Sequence, residues 1–343
     1  MTNNLTLNVP TNGVFNFTTV TVADGIVLRF NRNPLNTPVY LLATGDVVID
    51  GYVSVTGTNA SGSIAGTGGP GGFDGGFGAF QGFPDGEGQG PGGGASLVRD
   101  ANAVFGSPSP GNTNIYGNTL LSPLIGGSGG SGRGGSGGGG GGGAILIASS
   151  TKISLHDTGI NGGVYARGGD GAVGVGGGGG SGGGIRIVAP VVDGDGWLET
   201  SGGVGVGRAG SGRSRIDTTD RFAWRGLHLA NNGKWTVGSQ MFVFPPGNPH
   251  LDIITAAGTA IPEGTNSPVT VTLPVGSSTN QIVRVQGRGF TNDTAIRVKI
   301  TPENAPSATF DSVIQQSSGN PPFADVQVTL PLDTVCHVHA WTR

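Results

Sequence analysis

The sequence predicts an all-β fold for this chain of 343 residues: a β-solenoid-like sheet with packed, polyproline-II-like polyglycine excursions over residues 1–246, then an immunoglobulin-like β-sandwich over 247–343. Three observations carry that expectation. Apolar residues cluster in short β-branched strings between turn formers, with no helical stripe of ten or more residues. Glycine contributes 71 residues against 11% charged and 6% aromatic, without the Gly-X-Y period of collagen. Two glycine tracts switch abruptly into apolar strands, at Gly126 to Ala148 (GGSGGSGRGGSGGGGGGGAILIA) and at Gly176 to Ala189 (GGGGGSGGGIRIVA).

Strands are expected from the start of the chain. Leu5, Leu7 and Val9 alternate, Asn12-Gly13 is a turn signal, and Phe15, Phe17, Val20 and Val22 continue beyond it. Ile26, Leu28 and Phe30 follow; after a loop with Pro34 and Pro38, Val39, Leu41 and Ala43 open the next strand, and short strands recur at Val47 to Ile49 and Tyr52 to Val55. An internal repeat then emerges. Val39-Tyr-Leu-Leu-Ala43, Ala144-Ile-Leu-Ile-Ala148 and Ile185-Arg-Ile-Val-Ala189 align by eye, their alanines 105 and then 41 residues apart. Each is followed by a second short segment (Val47 to Ile49, Ile153 to Leu155, Val191 to Val192). A third then runs into glycine: Val53 to Gly57, Val164 to Gly168 and Trp197 to Gly202.

The tracts lie between strands, so they read as construction material. A glycine run is costly to order and is ordinarily a linker. As extended threads of three residues per turn, however, side-chain-free segments would pack main chain against main chain and pair their N–H and C=O groups between neighbours. The longest excursion, about Gly57 to Gly143, carries Phe73, Phe77, Phe80 and Phe83 among glycines. These are expected to pin the threads to the sheet, because exposed aromatics are a solubility liability unless something binds them; exposed, they become a self-assembly or adhesion surface.

A basic and aromatic cluster closes this part: Arg208, Arg213, Arg215, Arg221 and Arg225 with Trp224 and Trp235. It reads either as a surface for an anionic polysaccharide or phosphate, or as arginines paired with Asp217 and Asp220 along solvent-facing strands; the pairing is the expectation. Pro245-Pro246 marks the boundary. Beyond it seven strands are expected, at Leu251 to Ala256, Val269 to Leu273, Gln281 to Gln286, Ala295 to Ile300, Ala308 to Ile314, Ala324 to Leu330 and Val335 to Thr342, the count of an immunoglobulin-like sandwich.

The strings GGGGGGGAILIAS and GGGGSGGGIRIVAP resemble those of a set of uncharacterised glycine-rich bacterial proteins predicted to be surface-exposed or secreted, with a trailing sandwich similar to their C-terminal part. The resemblance implies no activity and transfers no catalytic residues. More loosely, the tracts resemble phage tail-tip adhesins with packed polyglycine helices.

Several classes are disfavoured. A net charge of -3 points to no nucleic-acid partner, and no apolar run reaches the length of a membrane span. The start, MTNNLTLNVP, has no secretory n-region and h-region, so an extracellular location implies export by another route or a leader absent from this sequence. Cys336 is the only cysteine, which excludes an intrachain disulfide and a thiolate zinc cluster. G-x-G-x-x-G matches arise by chance in glycine runs and lack the strand-to-helix context of a dinucleotide site. The carboxylate pairs Asp193/Asp195, Asp46/Asp50 and Asp85/Glu87 are of the kind that polysaccharide enzymes use. In glycine turns, however, they read as backbone caps or weak calcium ligands. His337 and His339 share one face of a strand with Trp341, where they read as exposed edge histidines ahead of a metal or interface pair.

No catalytic, cofactor or metal residue is therefore expected, with calcium at the carboxylate turns as the alternative. The function expected is a non-enzymatic extracellular structural or adhesive protein that self-associates into a filament, sheath or matrix. Its expected interaction residues are Phe73, Phe77, Phe80, Phe83, Arg213, Arg215, Arg221 and Trp224, with copies of itself or a surface polysaccharide as partner. The alternatives are a carbohydrate-binding or carbohydrate-cleaving β-solenoid protein and a phage-type receptor-binding adhesin.

Overall fold

A computed structural model describes residues 3–343 apart from 97–100, 160, 173–175, 231–233, 245–248, 263–268 and 304. The expected boundary pair Pro245-Pro246 lies outside the described residues. By internal contacts the chain divides into Met1–Val243 and Phe244–Arg343. Apart from two short 3-10 turns, its regular structure among the described residues is β.

In the first unit the chain coils through three parallel sheets. After β1 (Leu5–Asn8) come β2 (Val14–Phe17), β3 (Val20–Val22) and β4 (Val27–Asn31), then β5 (Val39–Ala43), β6 (Val47–Ile49) and β7 (Tyr52–Ser54). The next triplets are β8 (Ala144–Ser149), β9 (Lys152–Leu155) and β10 (Gly163–Tyr165), then β11 (Gly184–Val188), β12 (Val191–Gly194) and β13 (Trp197–Glu199). β14 (Arg213–Asp217), β15 (His228–Leu229) and β16 (Trp235–Gly238) complete the unit. The sheets run β1-β4-β7-β10-β13-β15, β16-β14-β11-β8-β5-β2 and β12-β9-β6-β3. Alternate residues point inward, so Val39, Leu41, Ile145, Ile147, Ile185, Ile187 and Ile216 meet Leu28, Val53, Val164 and Leu198 in one buried core.

The repeat aligned by eye slips by one residue at its middle copy. Val39 lies beside Ile145 and Ile145 beside Ile185, so Ala43 faces Ser149 and not Ala148. A slip of one would turn Ile145 and Ile147 out of the core, and burial of the isoleucines therefore sets the register. The outer face of the same sheet is also covered. Tyr40, Leu42, Leu146, Ala148 and Val188 pack under Phe105, Leu121 and Leu124 from the long excursion and under Met241 and Val243.

All three glycine-rich excursions leave the first sheet, after β7, β10 and β13, and return to the second, before β8, β11 and β14. Inserted at one corner of successive coils, they lie side by side and bond to one another. Gly137–Gly143 is the centre. Its N–H groups take three neighbours in turn: residues 143, 140 and 137 donate to Val55, Thr58 and Gly62; 141 and 138 donate to Phe73 and Gly76; 142 and 139 donate to Ser181 and Gly178. Its carbonyls accept from three others, Gly69 and Gly66, Gly127 and Gly130, and Gly169 and Ala172, with Gly184 on the last carbonyl. Six segments surround one thread at a three-residue period, as a threefold extended helix requires, and no main-chain donor or acceptor of 137–143 is left over. Glycine is obligatory here because the approach is so close. A Cβ on Gly140 would lie 2.1 Å from the carbonyl oxygen of Thr67, and one on Gly139 would lie 2.0 Å from that of Gly169.

The second unit holds two antiparallel sheets. One is ordered β18-β17-β19-β22, from β17 (His250–Ala256), β18 (Thr259–Ala260), β19 (Asn280–Arg288) and β22 (Phe323–Thr329); the other is β21-β20-β23, from β20 (Thr294–Pro302), β21 (Ala308–Ile314) and β23 (Cys336–Thr342). Val283, Val285, Val326 and Val328 pack on Ile296, Val298, Ile300 and Ile314 between them. The strand expected at Val269 to Leu273 does not form, and the short β18 takes its place. Prolines at 268 and 274 flank that stretch, and proline brings no ladder donor at either end.

Candidate functional site

The threads reverse direction at their ends farthest from the sheets, and those reversals build an apolar tip. At Phe80-Gln81-Gly82-Phe83 the two phenylalanines exchange both main-chain hydrogen bonds (3.1 and 3.0 Å), with φ of 48° and 90° at the central residues. Arg133-Gly134-Gly135-Ser136 repeats the pattern at 55° and 81°. Positive φ at both central positions is the two-residue reversal that glycine permits. Asp85 clamps the pair together. One carboxylate oxygen accepts the N–H groups of Ala79 (2.6 Å) and Gly135 (3.1 Å), and the other accepts that of Gly134 (2.7 Å). The Ser61–Ile64 reversal joins them through Gly78 N–H to Ser63 and Gly137 N–H to Gly62. The Val204–Arg208 reversal is held where Asp170 accepts the N–H of Val204 at 2.7 Å.

Ile64, Phe77, Phe80 and Phe83 are 64%, 63%, 58% and 68% exposed, and the Val204–Arg208 reversal exposes Val204 and Val206. Phe73 differs from the other three and packs within the glycine bundle. Its ring is half-buried against Gly90, at the position that a Cβ would need. Phe77, Phe80 and Phe83 do not pin the threads: Phe77 accepts the N–H of Gly86 and Phe80 and Phe83 bond to each other, yet all three side chains stay exposed.

The basic cluster is not assembled as one surface. Arg215 is buried, and its Nε and Nη2 meet Asp217 at 2.8 and 2.7 Å; Arg186, unremarked in the sequence, reaches the same carboxylate at 3.0 Å. Asp217 is fully buried and also accepts the N–H of Gln240, while Arg186 donates to the carbonyls of Gln240 and Phe242. The expected pairing with Asp217 is thus present but lies inside the protein. Arg213 is half-buried, with Tyr116 as its carbonyl acceptor and Phe105 under its guanidinium at 5.8 Å. Burial lowers the pKa of Arg213 and raises that of Tyr116. Trp224 packs on Trp235 (5.7 Å) against the core, and Arg221 is exposed. Asp220 pairs with no arginine among the described residues; it accepts the N–H groups of Phe222 and Ala223, which lower its pKa.

Other sequence candidates are engaged locally. Asp50 meets His156 Nδ1 at 2.7 Å, Asp46 accepts from Thr151, and Asp193 takes Lys152 (2.7 Å) and Ser154 (2.7 Å). Asp195 accepts the N–H of Asp157. His339 sits across from Lys299 and His337 across from Thr301, where His337 lies 3.6 Å from Glu303. Among the described residues, no three metal-ligating side chains converge and no helix is long and apolar enough to cross a membrane. No family model, curated protein or solved structure matches this chain.

Proposed function

We infer that the protein is a non-enzymatic extracellular structural or adhesive subunit that associates with copies of itself through the tip of its glycine bundle. The observation that carries this reading is the exposure of Phe77, Phe80 and Phe83 on turns fixed by main-chain bonds. Three uncovered phenylalanines are a cost in water unless a partner covers them, and a tip without mobile side-chain supports presents them pre-ordered. A net charge of only -3 leaves little repulsion between copies. In this reading the coiled parallel sheets are a β-solenoid that holds the bundle, and the antiparallel unit is an immunoglobulin-like sandwich that contacts the next subunit.

The test compares the protein with the triple variant Phe77→Ser, Phe80→Ser, Phe83→Ser by light scattering and negative-stain microscopy over a concentration series. Clusters or filaments from the parent, and monomers with unchanged melting from the variant, support the reading. A parent that stays monomeric throughout, or a variant that assembles equally well, overturns it.

A further inference from the structure

A trough runs along the outer face of the first parallel sheet, where that sheet meets the glycine bundle. Register places Thr6, Arg29, Ser54 and Tyr165 in one outward-facing column across β1, β4, β7 and β10, with Tyr52 in the next. Thr56, Thr58, Thr67 and the backbone of Gly57, Gly68 and Gly69 form the opposite wall, and the cavity between them measures about 840 Å³. It shares Thr56 and Arg167 with an adjoining cavity of about 760 Å³. That volume is ample for a ligand of several rings.

The lining has a definite chemistry. Tyr52 and Tyr165 lie 5.2 Å apart at 37°, and the Tyr165 hydroxyl donates to the carbonyl of Asn161, which fixes its ring. Arg167 holds its guanidinium 4.9 Å over Tyr165 and meets Glu199 only at 3.8 Å. Arg29 is exposed and makes no ion pair or side-chain hydrogen bond among the described residues. Arg32, at the same end, is already held by both oxygens of Asp74 (2.6 and 3.0 Å). One free and one loosely held cation, the Tyr52 ring and a wall of threonine side chains make a site for a ligand with negative charge, an apolar ring face and hydroxyls. We propose that this trough binds an acidic oligosaccharide, with a uronate carboxylate on Arg29 and Arg167 and a sugar face over Tyr52. Carbon-bound hydrogens on one sugar face suit an aromatic ring, and the planar guanidinium fork suits a carboxylate. The charge sets the class: neutral glycans would leave Arg29 without a partner.

The site is separate from the tip, so its test is independent of self-association. Titration calorimetry of the full chain would use oligogalacturonate and hyaluronan oligomers, with neutral dextran oligomers, inorganic phosphate and a single-stranded oligonucleotide as the other arms. The expected result is binding of a uronate oligomer that weakens as salt rises, with dextran and phosphate silent. Arg29→Ala should weaken it at least tenfold without moving the melting temperature, Tyr52→Ala should weaken it at least tenfold, and the triple phenylalanine variant should bind as the parent does. Failure of both uronates to bind, equal binding of dextran, phosphate or the oligonucleotide, or an undiminished affinity in Arg29→Ala would each overturn the proposal.

Discussion

Replacing Gly140 by alanine tests whether the glycine threads are held by main-chain contact. The added methyl carbon would lie 2.1 Å from the carbonyl oxygen of Thr67, 2.3 Å from its carbon and 2.8 Å from the nitrogen of Gly68. All three are backbone atoms that no rotamer change can clear. Relief from 2.1 Å to an ordinary 3.4 Å contact moves one thread about 1.3 Å from the other. That opens the flanking bonds from Gly66 N–H to Gly138 (2.8 Å) and from Gly69 N–H to Gly141 (3.0 Å) to about 4 Å, outside bonding range. Two buried donors left unmet cost about 1–3 kcal/mol each. Alanine returns about 0.4–1 kcal/mol through a less free unfolded chain, leaving a net loss of roughly 2–5 kcal/mol. For a unit of this size that corresponds to a fall of roughly 4–20 °C in Tm. The control is Gly207→Ala, whose Cβ would make only an ordinary 3.4 Å contact with the Asn102 side chain. Melting curves followed by calorimetry and circular dichroism decide the matter. If Gly140→Ala melts with the parent and with Gly207→Ala, the threads are not close-packed and the scaffold argument fails.

Asp85→Ala should leave the N–H groups of Ala79, Gly134 and Gly135 without their acceptor. The expected loss is about 1–3 kcal/mol, with faster amide exchange confined to residues 77–86 and 132–137; protection unchanged there would refute the clamp. Asp217→Ala strands two buried guanidinium groups, Arg186 and Arg215, and should cost about 3–5 kcal/mol, read from denaturant melts; a loss below about 1 kcal/mol would show that the pair is solvated. In the second unit, hydrogen bonds from Arg297 and Arg284 hold Asp311 and Asp325 below the usual carboxylate pKa. A depressed folded value contributes stability above the unfolded value near 4 and loses it as pH falls through the folded one. Amide exchange of β19–β22 should therefore quicken as pH drops from about 4 towards 2, beyond its intrinsic acid dependence. Asp311→Asn with Asp325→Asn should flatten the excess, and an unaltered slope in that variant would count against the assignment.

What the sequence makes legible is what depends on near neighbours. Alternation of Leu28 with Phe30, or of Ile185 with Ile187, announces a strand whose inner face is settled two residues at a time, and those residues are core. The glycine tracts are legible for a similar reason: Ile145 follows Gly143 so closely that the thread must dock where the strand begins. Burial supplied by remote chain is not legible. Arg215 reads as solvent-facing and Arg186 stands at the matching outward position, yet Phe105, Leu121 and Met241 cover that face from other segments, and Asp217 meets both cations beneath the cover. The phenylalanines err in the opposite direction. Exposed aromatics are costly, so Phe77, Phe80 and Phe83 read as pins, but a Gln-Gly pair at φ of 48° and 90° reverses the chain between Phe80 and Phe83, and the main-chain bonds around all three leave their rings uncovered. Phe-Gln-Gly-Phe is itself the signal that was there to read: a two-residue reversal places its flanking side chains at the end of the bundle. Glycine lets the threads approach closely because it has no side chain, and for the same reason the bundle has little chemistry along its length. Both proposed roles therefore fall where side chains resume, at the reversals of the tip and at the seam where the threads meet the sheet.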